Sequence, residues 1–202
     1  MTEMNSVSRF FVNLSANRRA SRALRWVRES GAIPEAASCL EIGCGNASFG
    51  ARFVETFQPS HYVATDLDPT QLASARVNLA QRYPDAMPPT LMLREADMLH
   101  LPFADYDFNV VLTFVTLHHA SPNHHEFGPV TQALSEIDRV LRRGGVLIYQ
   151  EFLHREPIRR WLVDHRYTIE QLSRGWRLEF VIARKTVDPA AKVLPPWGAP
   201  PG

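Results

Sequence analysis

Cys39-Leu40-Glu41-Ile42-Gly43-Cys44-Gly45-Asn46-Ala47-Ser48-Phe49-Gly50 reads as a short buried strand carrying an acid near its end, then a glycine turn, then the opening of a helix. Gly43 and Gly45 have no Cβ, so the backbone can turn sharply and a ligand can come against it. A strand, a glycine turn and a helix in that order make the usual nucleotide-type site of a doubly wound α/β fold. One such turn is weak evidence, because many tight turns need glycine. The segments on either side supply the rest.

Downstream, a helix over about Phe49–Phe57 leads to a second strand at His61–Thr65, which ends in Thr65-Asp66-Leu67-Asp68-Pro69. Pro69 suits the first turn of a helix, and Leu72, Ala73, Ala75, Arg76, Leu79 and Ala80 carry the helical period to Tyr83. Thr90–Arg94 reads as a third strand, followed by Glu95-Ala96-Asp97-Met98 and a loop to Tyr106. Phe108–Phe114 is an unbroken apolar run, the mark of a strand covered on both faces. A loop with histidines and proline leads to a helix over about Val130–Arg143, which Gly144-Gly145 stops before a strand at Val146–Gln150. The order β-α-β-α-β-loop-β-α-β predicts an α/β, doubly wound, Rossmann-like and mostly parallel sheet with helices on both faces.

The ends are less regular. Arg9–Ser30 reads as an N-terminal helical cap of one or two amphipathic helices. Beyond Glu151, Pro157–His165 looks helical, Thr168-Ile169-Glu170-Gln171 can form a capping box for another short helix, and Trp176–Ala183 reads as a last strand. A single domain over 1–187 is expected, with a proline-rich, disordered tail over 188–202.

The 202 residues, 45% of them hydrophobic, suffice for one sizeable core. A formal net charge of +1 argues against a dedicated nucleic-acid or membrane-surface protein. Arginines cluster at Arg18, Arg19, Arg22, Arg25 and Arg28, as a solvated helix face does. Cys39 and Cys44 flank the first strand, where a disulfide would fight the strand geometry, so a reducing compartment is expected. The N-terminus has no signal-type apolar run, and no segment is long enough to span a bilayer. A cytoplasmic protein is expected.

The candidate ligand follows from the acids. Asp66 stands about 20 residues beyond the glycine turn, where a carboxylate can take both hydroxyls of a ribose. Asp68 competes for that role but better suits the N-cap ahead of Pro69. A dinucleotide fingerprint would need a further glycine, whereas the position two after Gly45 is Ala47 and the next glycine is Gly50. Glu41 would repel a diphosphate and attract a cationic or amino-bearing group. Asp97 adds a second acid at the end of the third strand, suited to an adenine amino group. S-adenosylmethionine, with its sulfonium and ammonium charges, fits that set.

At this point the chain resembles a class I S-adenosylmethionine-dependent methyltransferase of the UbiE/type 11-like small-molecule group. The likeness runs from about Cys39 to Glu151. It rests on five motifs in order: Leu40–Gly45 with Ala47, Thr65–Pro69, Ala96-Asp97-Met98 with Leu101-Pro102-Phe103, Phe114–His119, and Arg139–Gly145. The resemblance implies that Glu41 and the Gly43, Cys44 and Gly45 segment face the methionine part of the cofactor. It implies that Asp66 binds the ribose, Leu67 packs on the adenine, and Asp97 takes the adenine amino group beside the Met98 amide. Thr113 and Phe114 would line the methionine end, with His118 close to the transferred methyl. Three departures stand out. Ala47 replaces the third glycine, Asn109 replaces the usual aspartate ahead of the fourth strand, and one strand stands where the family has a long β6–β7 hairpin. A shortened C-terminal region would leave the N-terminal helices or a partner chain, as in a homodimer, to cover the substrate.

Methyl transfer from a sulfonium is an in-line displacement of an already activated leaving group, so the protein supplies chiefly proximity, alignment and a dry pocket. A base is needed only for an acceptor that arrives protonated. The candidates are His118, His119 and Glu151, with Tyr149 as an orienting hydroxyl. His118, His119, His124 and His125 lack helical i, i+4 spacing or a nearby cysteine, so no metal is expected. Trp26, Trp161 and Trp176 read as packing residues. The acceptor is expected to be a small molecule or lipid-like. The alternatives are a protein or nucleic-acid methyltransferase, disfavoured by Phe114-Val115-Thr116-Leu117 where an Asn-Pro-Pro-Tyr type motif would stand, or a cofactor-binding module without catalysis.

Overall fold

The computed structural model describes residues 20–121, 123–124, 126–174 and 178–186. The first part of the expected 9–30 cap, His125, Trp176 and the 188–202 tail lie outside them. A helix over residues 20–30 (α1) leads to strand β1 (Ser38–Ile42). There follow α2 (Ser48–Phe57), β2 (His61–Asp66), α3 (Pro69–Arg82), β3 (Leu91–Glu95) and β4 (Phe108–Phe114). After a 3₁₀ turn at Leu117–Ala120 come α4 (Phe127–Val140), β5 (Leu141–Glu151), α5 (Arg155–Asp164), β6 (Tyr167–Arg174) and β7 (Glu179–Lys185).

The strands form one seven-stranded sheet in the order β3-β2-β1-β4-β5-β7-β6. β1 to β5 are mutually parallel, and β7 joins antiparallel between β5 and β6. Side-chain alternation divides the core in two. Cys39, Tyr62, Leu112 and Ile148 face α1, α2 and α3, whereas Leu40, Val63, Val111 and Leu147 face α4 and α5. Each such fully buried aliphatic or aromatic side chain is worth about 1.5–3 kcal/mol. Strand order reverses between β1 and β4, and a doubly wound sheet opens a crevice at the C-terminal ends of the strands there.

Local chemistry explains the joints. Asp68 caps α3 by accepting from Thr70 N–H at 2.8 Å, with Pro69 in the first turn, so the acid expected as a cap is one. Asn109 Oδ1 accepts from Ser38 N–H at 2.9 Å and Ser38 O–H at 3.1 Å, so it does the acceptor's work of an aspartate in tying β4 to β1.

Three expectations need correction. The C-terminal region is not shortened: β6 and β7 make the antiparallel hairpin, with Ile169 opposite Ala183. Thr168–Gln171, expected to start a helix, is strand. Its inward residues Tyr167 and Ile169 are two apart, which matches a strand, and Glu170 pairs with Arg184 of β7 at 2.5 Å, so cross-strand pairing overrides the local capping pattern. Finally, α4 ends at Val140 rather than Arg143. Leu141 turns extended to bury itself opposite Phe108, and Arg142 Nε donates to Tyr106 O at 2.9 Å. No helix of the described residues is long and apolar enough to cross a membrane.

Candidate functional site

The glycine turn sits at the crevice. Gly43 and Gly45 have φ of +70° and +53°. A Cβ on Gly43 would lie 2.2 Å from Thr116 Cγ2, so a side chain has no room there. A Cβ on Gly45 would meet nothing nearer than Gln71 Oε1 at 3.8 Å, so that face of the turn is open to a ligand. Ala47 takes φ +56° at the N-cap of α2, a left-handed conformation that costs an alanine about 1–2 kcal/mol.

Two hydrogen bonds tie the turn to β2. Cys44 N–H donates to Thr65 O at 2.8 Å, and Gly45 N–H donates to Asp66 Oδ2 at 2.9 Å. Asp66 Oδ1 also accepts from Asp68 N–H at 3.0 Å. Each carboxylate oxygen keeps a second lone pair for a ligand hydroxyl. Leu67, beside it, is 58% exposed, an apolar surface at the rim of the crevice. In the loop after β3, Asp97 Oδ1 accepts from Leu99 N–H at 2.9 Å, and its other oxygen lies 3.5 Å from His100 Nδ1. Ala96 N–H donates to Asp66 O at 3.1 Å, so the two acidic loops are joined along one edge. Met98 packs toward the α4 side of the core.

Beneath the turn is a cavity of about 150 Å³ lined by Glu41, Gly43, Cys44, Phe49, Phe114 and Gln150, with Ala20 and Ala23 of α1. Phe49 and Phe114 pack with ring centroids 4.3 Å apart and form its apolar wall. Glu41 is buried and accepts from the Tyr62 hydroxyl at 2.9 Å. Burial, with a smaller push from Asp66, drives its pKa up to about 8 against the lowering effect of the Tyr62 bond. The acid read from the sequence as a fixed negative charge is thus held largely neutral until a positive group faces it. Burial also raises the Cys44 thiol far above its ordinary value, so Cys44 is a packing residue with no nucleophilic character. Cys39 and Cys44 are both free.

Gly50 is confined by the same acid. A Cβ there would lie 2.7 Å from Glu41 Oε2 and 2.9 Å from Tyr62 Cε1, both buried. Gly50→Ala is expected to destabilise the fold by about 1–3 kcal/mol through overpacking, measured as a lower urea midpoint. An unchanged midpoint would show that the Glu41–Tyr62 pair moves aside freely.

Thr113 and Tyr149 are not at the cavity. Thr113 pairs with Ile42 and Tyr149, whose side chains face α4 and α5, so strand alternation turns all three away from Glu41. Gln150, not singled out from the sequence, is the β5 residue that reaches the cavity. The signal is period-two alternation, readable once the register of β5 against β4 is known: Ile148 and Gln150 share the α2 side.

The histidines gather at the ends of β4 and β5. His118 is buried in the 3₁₀ turn, and its Nδ1 lies 3.0 and 3.1 Å from the two oxygens of Glu151, itself fully buried. Glu151 also accepts from His118 N–H at 3.3 Å and Phe152 N–H at 2.8 Å. The His119 ring packs tilted against that of His118, with centroids 4.0 Å apart, and its pKa is lowered, first by partial loss of hydration and then by its neighbours His118 and His124. His124 returns beside both after a turn in which its N–H donates to Ser121 O at 3.1 Å. Though the sequence spacing shows no metal pattern, the fold gathers these three histidines: one donor atom from each lies within 4.8 Å of the others. Trp26 packs on Phe180 at 4.9 Å and Trp161 stacks on His165 at 3.8 Å, both as packing residues.

Comparison with known proteins adds the following. A family model described as a methyltransferase domain matches residues 40–149. Phthiotriol/phenolphthiotriol dimycocerosates methyltransferase 1 of Mycobacterium ulcerans is 33% identical over 125 residues, which are 62% of this chain and 41% of that protein. The fatty-acid O-methyltransferase of Mycolicibacterium smegmatis is 32% identical over 124 residues, 60% of this chain and 39% of that one. The chain thus spans about two-fifths of the length of these curated relatives. Among solved structures, magnesium protoporphyrin IX methyltransferase from Synechocystis PCC 6803 with bound SAM superposes with a TM-score of 0.68 at 16% identity, covering 92% of this chain and 86% of the other. The [4+2]-cyclase SpnF superposes with a TM-score of 0.69 at 16% identity, covering 86% and 82%.

Proposed function

The chain belongs to the methyltransferase-domain family, and from that premise we propose that it is an S-adenosylmethionine-dependent methyltransferase acting on a small or lipid-like acceptor. The observation that carries the reading is the bond from Gly45 N–H to Asp66, which sets a ribose-type acid against an open glycine turn whose Gly43 and Cys44 line the cavity that holds Glu41. Among the described residues, no lysine or arginine lines that cavity. An anionic diphosphate has nothing there to neutralise it, whereas an ammonium or sulfonium has an acid that can ionise to meet it.

The cofactor would supply an activated methyl group and a thioether leaving group. The chain's own residues do the rest. Asp66 takes the ribose hydroxyls, Leu67 and the Asp97–Met98 segment take the adenine, and the Gly43–Gly45 backbone with Cys44 passes over the methionine part. Phe49 and Phe114 keep water from the reacting centre, and Thr113 contributes only the strand end that carries Phe114. His118, His119 and Glu151 are the groups that orient the acceptor, Glu151 holding the His118 ring in place. Positioning of this kind lowers a barrier by about 7–11 kcal/mol when the reacting atoms are aligned. Two free, buried cysteines suit a reducing, cytoplasmic setting.

The lipid-like acceptor class rests on the names of the relatives, a phthiotriol-type methyltransferase and a fatty-acid O-methyltransferase. The test is calorimetric titration with S-adenosylmethionine and S-adenosylhomocysteine, then turnover against hydroxylated and carboxylated lipids. Saturable binding with formation of the thioether product on one acceptor class supports the reading. No binding of either compound overturns it. A second reading, cofactor binding without methyl transfer, is favoured by the presence of a [4+2]-cyclase on this fold. Tight binding with no turnover on any acceptor would select it.

A further inference from the structure

The three clustered histidines have a feature that chance packing does not require. The Nδ1 of His118 faces the oxygens of Glu151, and the Nδ1 of His124 lies 2.9 Å from the His118 carbonyl oxygen. A carboxylate and a carbonyl only accept, so both Nδ1 atoms carry the proton and both Nε2 atoms carry the free lone pair. Two rings are thereby held in the tautomer that leaves Nε2 free for a metal, one of them by the carboxylate–histidine arrangement that backs many metal sites. His154 Nε2 lies 3.0 Å from His124 O, which braces the returning loop from the other side. His119 is the third ring and is exposed.

We propose that His118, His119 and His124 form a three-nitrogen site for a divalent transition-metal ion such as Zn²⁺, with the remaining coordination position open to water or to an oxygen of the acceptor. One donor atom from each ring already lies within 4.8 Å of the others. Metal–nitrogen bonds of about 2.0–2.1 Å require these atoms to close in further when the ion binds. Imidazole donors select zinc, nickel, copper or iron over magnesium. The ion site stands on the imidazoles and their backing groups, so it holds or fails independently of methyl transfer. If both hold, the ion sits beyond the ends of β4 and β5, held by a ring that Glu151, the last residue of β5, backs.

The full chain, stripped with a chelator, is titrated with Zn²⁺ in competition with a chromophoric chelator, and separately with Co²⁺ while visible absorption is followed. One Zn²⁺ per chain is expected, with Co²⁺ bands typical of low coordination number and no competition from millimolar Mg²⁺. His119→Gln and His124→Ala are each expected to weaken Zn²⁺ binding at least tenfold, and Glu151→Gln about 10- to 100-fold. His61→Ala, remote on β2, leaves binding unchanged. Circular dichroism and melting check that each variant folds, and His119→Gln, on an exposed residue, provides the test if the buried substitutions do not fold. Less than half an ion per chain, or binding that His119→Gln and His124→Ala leave intact, overturns the site. S-adenosylmethionine affinity measured on the same samples reports separately on the cofactor cleft.

Discussion

Asp66→Ala is expected to weaken S-adenosylmethionine binding about 30- to 150-fold, a loss of about 2–3 kcal/mol, while the chain stays folded. The magnitude follows from removing a charged acceptor from two ribose hydroxyls, each such bond being worth about 1.5–3 kcal/mol with part regained by water. The same carboxylate also holds Gly45 N–H and Asp68 N–H. Alanine therefore releases the glycine turn as well as the ribose, which places the effect at the upper end of that range. Asp66→Asn separates the two contributions. It keeps one oxygen for a backbone N–H and loses the charge, so it should fall between wild type and alanine. Calorimetry gives the affinities and a melting curve gives the fold. Equal affinity in wild type and Asp66→Ala would remove the ribose assignment, and a collapsed melt would show that the turn needs this acid to form at all.

What the sequence made legible was whatever depends on local pattern at the sheet's centre. Phe108–Phe114 coincides with β4 because a strand covered on both faces must be apolar throughout. The acid ahead of Pro69 is a cap because the geometry there is local. Which strand residues face the cavity depends on partners far along the chain. Thr113 and Gln150 are sorted by strand alternation, which shows only once the register of β4 against β1 and β5 is known. The β6 segment carries a plausible helix start and becomes a strand because β7 lies alongside it. The three histidines meet because a 3₁₀ turn is followed by a reversal at Ser121, and neither has a spacing rule in sequence. Glu41 is legible in the sequence as an acid near the end of the first strand. Its charge state depends on Tyr62 and on complete burial, which composition does not reveal.

That charge state gives the largest effect of pH on the molecule. In the unfolded chain Glu41 titrates in the ordinary range near 4.5, and in the folded chain near 8. Between these values the folded state binds more protons than the unfolded one, so stability is fully present below about pH 4.5 and drains away as pH rises through about 8. The slope attributable to this one residue reaches about 1.4 kcal/mol per pH unit. Urea midpoints of the ligand-free chain should therefore fall between pH 5 and 8, and Glu41→Gln, which cannot titrate, should flatten that fall. A positive ligand in the cavity reverses the preference, because a sulfonium or ammonium stabilises the carboxylate. Below pH 8 S-adenosylmethionine should bind with release of a proton and bind more tightly as pH rises, whereas adenosine, which has no positive group, should release none. Calorimetry in two buffers of different ionisation enthalpy counts the protons. A count of zero for S-adenosylmethionine at pH 7, with a stability profile that Glu41→Gln leaves unaltered, would mean that Glu41 keeps its charge in the empty cavity. The cleft would then attract cations by a fixed field, with no carboxyl that ionises on contact.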